Sequence, residues 1–150
     1  MFRCERMRQM RVVTLWTLVI LGSVPLWANA SMVVNGSFET PYVDPAWVNY
    51  WYVGGTYGGW TVSHGSIDQV AAGDYSHTWN WQAADGVQSL DMSGLGNAGT
   101  MFQDVNTTPG EVYRLSFALA GNPYGTPSIR TLRVWWEGST VGTYTFDISG

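Results

Sequence analysis

From residue 31 onward, no window of helical length escapes a glycine, a proline or a run whose apolar residues recur at every second position. Such alternation is what a half-buried strand requires, and it leaves little room for a helix. Tyr113, Leu115, Phe117 and Leu119 alternate with Val112, Arg114, Ser116 and Ala118. Leu132, Val134 and Trp136 repeat the pattern, as do Tyr144, Phe146 and Ile148. Between the runs sit turn formers: Asp85-Gly86, Thr107-Thr108-Pro109-Gly110, Gly121-Asn122-Pro123 and Glu137-Gly138. Short strands joined by such turns predict an all-β sandwich or barrel. With no internal repeat and no linker, residues 31–150 read as one domain.

The preceding residues read differently. Arg3, Arg6, Arg8 and Arg11 form a basic segment, Val12 to Leu21 an apolar one, and Ala28-Asn29-Ala30 a small-x-small cleavage pattern. Residues 1–30 are therefore expected to be a signal peptide, cut after Ala30 from a secreted chain. An uncleaved anchor is disfavoured, because Val12 to Trp27 contains Pro25 and falls short of the roughly 20 residues that span a bilayer.

Cleavage changes the charge that matters. It removes four of the seven arginines and the only cysteine, Cys4, and leaves Arg114, Arg130 and Arg133 against ten acids, a formal charge of -7. Nucleic-acid binding rests on neutralising phosphates, so this balance excludes it as a working reading. Anionic membrane surfaces are disfavoured for the same reason. No disulfide can form within the mature chain, so packing, with a bound metal as a second source, must carry its stability.

Catalytic strings are missing or lack context. Gly94-Leu95-Gly96-Asn97-Ala98-Gly99 matches the G-x-G-x-x-G of dinucleotide sites, but strand-like Thr100 to Val105 follows where a helix is needed, so a loop between strands is expected. H-E-x-x-H, G-x-S-x-G and a mature cysteine nucleophile are absent. His64 and His77 share no metal-ligand spacing. Asp68, Asp85 and Asp91 offer carboxylates for glycoside hydrolysis only if the fold pairs them across a sugar bond. Turn forming and hydrogen bonding are the commoner uses of such aspartates, so the reading is non-catalytic.

Aromatic residues give the better lead. Trp136 and Trp60 are expected in the core, with Trp135 on the opposite face of its strand. Trp47, Trp51, Tyr52 and Tyr57 lie in a Gly-, Tyr- and Asn-rich stretch, and Trp79 and Trp81 in an expected loop beside Asp74, His77 and Gln82. Flat rings beside Asn, Gln and Asp suit sugars, whose C–H faces stack while their hydroxyls hydrogen-bond. Trp47, Trp51, Tyr52, Trp79 and Trp81 are thus candidate carbohydrate-binding residues. The competing reading folds the same rings back as satellite clusters over the core.

Asn35-Gly36-Ser37-Phe38-Glu39, Gly59-Trp60-Thr61-Val62, Gly65-Ser66-Ile67-Asp68, the block Asp85 to Gly94, Gln103, Thr108 to Tyr113 and Phe117 to Pro123 follow one another in a recognisable order. In that order and spacing they resemble the bacterial choice-of-anchor C family and the plant cell-wall group known as domain of unknown function 642. The resemblance implies a galactose-binding-like jelly roll, an antiparallel β-sandwich, secreted and often wall-associated, with polysaccharide as the proposed partner. It also implies further strands beyond Gly150, so the sandwich is expected to be C-terminally incomplete. Through Glu39 it implies a structural calcium ion; the alternative is that Glu39 hydrogen-bonds a neighbouring strand. A secreted carbohydrate-binding or wall-associated module comes first, a structural matrix or surface protein that binds other proteins second, and a glycan-active enzyme third.

Overall fold

A computed structural model describes residues 2–7, 31–45, 47–75, 79–122 and 126–149. The expected leader's apolar run and cleavage site, together with His77 and Pro123, lie outside those residues. The strands in chain order are β1 (Phe2–Met7), β2 (Val48–Tyr52), β3 (Thr56–Tyr57), β4 (Trp60–His64), β5 (Ser66–Ala71), β6 (Gly73–Tyr75), β7 (Trp79–Trp81), β8 (Gln88–Asp91), β9 (Thr100–Phe102), β10 (Val112–Phe117), β11 (Ile129–Trp136) and β12 (Ser139–Asp147). Every strand pairing is antiparallel, and no α-helix occurs among the described residues. The fold is all-β, as the alternation requires.

The chain divides into two compact units, Met1–Phe117 and Ala118–Gly150. In the first, β2–β5–β8 and β3–β4–β9 form two three-stranded sheets. Phe38, Tyr57, Trp60, Val62 and Ile67 are buried together, with Val33, Trp51, Leu90, Met92 and Met101 packed against them. Both sheets contribute to that cluster, which makes it the filling of a sandwich. Phe38 and Trp60 meet at 5.7 Å between ring centroids, and Trp51 stacks on Tyr57 at 4.9 Å. Each such side chain contributes about 1.5–3 kcal/mol on burial. The hairpin from β3 to β4 turns through Gly58 and Gly59, both at positive φ (50° and 93°), a conformation that matches strand twist and excludes most side chains.

Residues 2–7, inside the expected leader, pair as β1 along all of β10, from Phe2 opposite Phe117 to Met7 opposite Val112. β10 shows the expected alternation: Tyr113, Leu115 and Phe117 are half-buried and their neighbours exposed. The Thr107–Gly110 turn before it is held by the Thr108 N–H, which donates to the Tyr113 hydroxyl at 2.8 Å. Leu119 falls beyond the strand and is exposed.

The second unit is built on the β11–β12 hairpin, turned at Glu137-Gly138 with φ of 47° and 76°. Along β11, Leu132, Val134 and Trp136 face one side and Trp135 the other, where the Arg133 guanidinium lies 5.7 Å from the Trp135 ring. Trp136, expected in a core, is only half-buried. The alternation expected at Tyr144 and Phe146 does not become burial, since both are exposed. They sit opposite Leu132 and Arg130, on the half-buried face, but a two-stranded ribbon covers little of its own surface.

Candidate functional site

The densest polar construction surrounds residues 34–43. Gln69 and Gln88 are almost fully buried on the core side of β5 and β8. Gln69 Nε2 donates to the Phe38 and Pro41 carbonyls at 2.7 and 2.9 Å, and Gln88 Nε2 donates to the same two at 2.6 and 3.1 Å. Gln88 Oε1 accepts the Val43 N–H, and Gln69 Oε1 accepts the Trp51 indole N–H at 3.3 Å. Glu39 Oε1 accepts the Val87 and Gln88 N–H groups, each at 2.9 Å. Asn35 brackets Thr40 through both its N–H and its carbonyl, while Gln103 holds Val34 from both sides and reaches the Gly59 carbonyl. Phe38 occupies left-handed backbone (φ 65°), which costs about 1–2 kcal/mol and is offset by burying its ring. These side chains form a clamp that ties an irregular segment to both sheets.

The opposite face of β2–β5–β8 has another character. Side chains alternate along a strand, so cross-strand partners share a face. Tyr50, Asp68 and Asp91 lie in one row across β2, β5 and β8; Tyr52 and Ser66 form the next, and Val48, Val70 and Ser89 the one on the other side. Tyr50 and Tyr52 are 47% and 55% exposed. Two residues apart on one strand, they stand about 7 Å from each other. The Gly94–Gly96 3-10 turn packs over β5 at this end, where the Ser66 hydroxyl donates to the Gly94 carbonyl. Asp91 Oδ1 accepts the Ser93 N–H at 2.9 Å. Asp68 Oδ1 and Ser89 Oγ are sealed from solvent and have no hydrogen-bond partner among the described residues. Burial pushes the Asp68 carboxyl up to about 6; the Leu95 N–H works against the shift and the Asp91 charge adds to it.

A family model described as a protein of unknown function, DUF642, matches residues 31–147. The chain belongs to the DUF642 family. No curated protein and no solved structure matches it. In this DUF642 chain the ordered motifs divide between the two polar regions. Asn35 to Glu39, Gln103 and Gln88 belong to the clamp, whereas Asp68 and Asp91 lie on the outer face. The G-x-G-x-x-G string forms the 3-10 turn and runs into β9 without a following helix. It is a packed turn: a side chain at Gly94 would run into Asp68.

The candidate aromatics separate. Trp47 is 68% exposed just before β2, and Tyr52 is exposed on β2 itself. Trp51 turns inward, packs against the core and stacks on buried Tyr57, so strand alternation splits it from its neighbours. Trp79 and Trp81 lie on β7, paired with β6, rather than in a loop. Tyr50 was missed as a candidate, although its position two residues before Tyr52 marks it. Of the three aspartates, the fold pairs Asp68 with Asp91. At Glu39 the described partners of Oε1 are the Val87 and Gln88 N–H groups. Among the described residues no group of three or more His, Cys, Asp or Glu is placed to hold a metal ion.

Proposed function

We propose that this DUF642 chain is a secreted, non-catalytic carbohydrate-binding module of galactose-binding-like jelly-roll type that attaches to cell-wall or surface glycan through the outer face of β2–β5–β8. One observation carries the reading: Tyr50 and Tyr52 stand exposed side by side, with the Asp68 and Asp91 carboxylates in register on the adjoining strands. Tyrosines supply flat stacking surfaces with a polar tip, and Asp91 supplies a hydrogen-bond acceptor for sugar hydroxyls. Trp47, exposed just before β2, is a further aromatic at that end of the strand.

The carboxylate pair does not make this a hydrolase. A catalytic acid must reach the glycosidic oxygen within hydrogen-bond distance, and Asp68 Oδ1 lies sealed beneath the Gly94 turn. The alternative of a matrix protein that contacts other proteins draws on the β11–β12 ribbon, whose Tyr144 and Phe146 are exposed on the side of Leu132. A glycan-array screen tests the main reading. Saccharide binding that depends on Tyr50 and Tyr52 supports it, and no binding above background removes it.

A further inference from the structure

β10 is paired along its whole length with residues that the mature chain is expected to lose. The pairing is antiparallel and runs from Phe2 opposite Phe117 to Met7 opposite Val112, and all of β1 precedes the expected cut after Ala30. Cleavage therefore uncovers one complete edge of β10. A strand edge presents a row of backbone N–H and C=O groups that another strand can take up. Tyr113, Leu115 and Phe117 line one side of β10, half-buried, and offer such a strand an apolar stripe to match.

β10 matches that stripe itself. Laid antiparallel on a second copy with Leu115 at the two-fold axis, the sequence VYRLSF puts Tyr113 opposite Phe117, Leu115 opposite Leu115 and Arg114 opposite Ser116. Two aromatic pairs and one aliphatic pair then share a face, and no like charges meet. Centring the pairing on Arg114 instead would set two guanidinium groups opposite each other, which disfavours that register. In the leader's register Tyr113 stands opposite Arg6 and Leu115 opposite Cys4, leaving Phe2 and Phe117 as the one aromatic pair. β10 thus fits itself better than it fits the strand it gives up. We infer that leader cleavage exchanges β1 for the β10 of a second copy: β1 blocks the edge before cleavage, and a two-fold dimer forms through it afterwards. The inference rests on the secretion in the reading above and is independent of its sugar site.

Residues 31–150 contain no cysteine, so a single introduced one reports which strand lies against β10. The full chain, its Leu115→Cys and Val112→Cys variants and Leu115→Lys are expressed with export and recovered from the medium. Mass spectrometry reads the N-terminus, light scattering the mass in solution, and non-reducing gels the cross-links. In the proposed register the two Leu115 positions meet at the spacing of a disulfide, about 5.5 Å between Cα atoms, whereas Val112 lies opposite Ala118, about 20 Å along the strand from its own copy. The expected result is a dimeric parent that has lost residues 1–30, with cross-linked dimer about tenfold more abundant from Leu115→Cys than from Val112→Cys. Leu115→Lys, which sets like charges opposite, should be monomeric; the parent's mass and the cysteine pair stand if that variant fails to fold. A cleaved parent that is monomeric overturns the exchange, whether the edge stays bare or takes another segment, and leaves secretion and sugar binding intact. A dimer that cross-links equally at both positions also overturns it. A chain that keeps residues 1–30 and links Cys4 to Leu115→Cys within one molecule removes the secretion reading and the exchange with it.

Discussion

The two sides of β5 and β8 both hold polar side chains, Gln69 and Gln88 on the core side and Ser66, Asp68, Ser89 and Asp91 on the outer, and use them in opposite ways. On the core side, Gln69 and Gln88 are sealed from water, and their amides are matched to carbonyls, an indole and a backbone N–H. On the outer side, one residue away along the same strands, Asp68 Oδ1 and Ser89 Oγ have no hydrogen-bond partner among the described residues, and exposed tyrosines stand on the neighbouring strand. A buried polar group left unmatched costs free energy, so a fully satisfied cluster is what a fold keeps for rigidity. The exposed rings, rather than the sealed atoms beside them, are what that side offers a ligand. In this chain the motif from Asn35 to Glu39 belongs to the first kind.

The contrast is broken most severely at the clamp. Gln88→Leu deprives the buried Val43 N–H of its acceptor and removes one of two donors from the Phe38 and Pro41 carbonyls. An expected loss of about 3 kcal/mol follows from the cost of unmatched buried groups, read as a lower denaturation midpoint in urea. A similar loss, about 3 kcal/mol, is expected of Trp51→Ala, at the low end for a large aromatic because the ring is only partly covered. Glycan retention per folded molecule should be unchanged in that variant. Glu39→Ala should cost about 2 kcal/mol, since two amides lose a charged acceptor; Glu39→Gln keeps an oxygen there and should cost less than half as much by the same urea measurement.

Asp68 sharpens the comparison through pH. Its carboxyl is raised from 3.8 to about 6, so between those values the folded chain keeps a proton that the unfolded chain has released. Stability from this group is full below about pH 4 and declines as pH rises through 6. The carboxyl retains contact with solvent, so the decline should be about 1 kcal/mol rather than the nearly 3 kcal/mol a two-unit shift would carry in full. Asp68→Asn should flatten that part of the stability profile, and thermal unfolding from pH 4 to 7 would detect it.

Much of the scaffold was legible because it depends on local rules. β10 and β11 follow from apolar alternation, and the β11–β12 turn from Glu137-Gly138. Trp60 entered the core as its strand position predicts. The clamp was not legible, since a glutamine in a strand carries no mark of burial until three distant carbonyl and amide groups converge on it. The candidate aromatics were legible as a group but not face by face. The stretch 47–57 marks β2, but without its register Trp51 and Tyr52 could not be assigned to opposite faces, and the pairing of Asp68 with Asp91 depends on contacts between residues 23 apart.

The most direct measurement is the melting temperature of Tyr50→Ala/Tyr52→Ala taken together with its retention on the polysaccharide that the parent binds. Both residues are exposed and lie outside the core cluster. The expected result is a midpoint within about 3 °C of the parent, the shift of well under 1 kcal/mol in a domain of this size, with retention lowered about tenfold or more by the loss of two aromatic contacts. A midpoint that falls by about 10 °C or more, with retention per folded molecule unchanged, would contradict the division between a clamp that holds the fold and a face that binds.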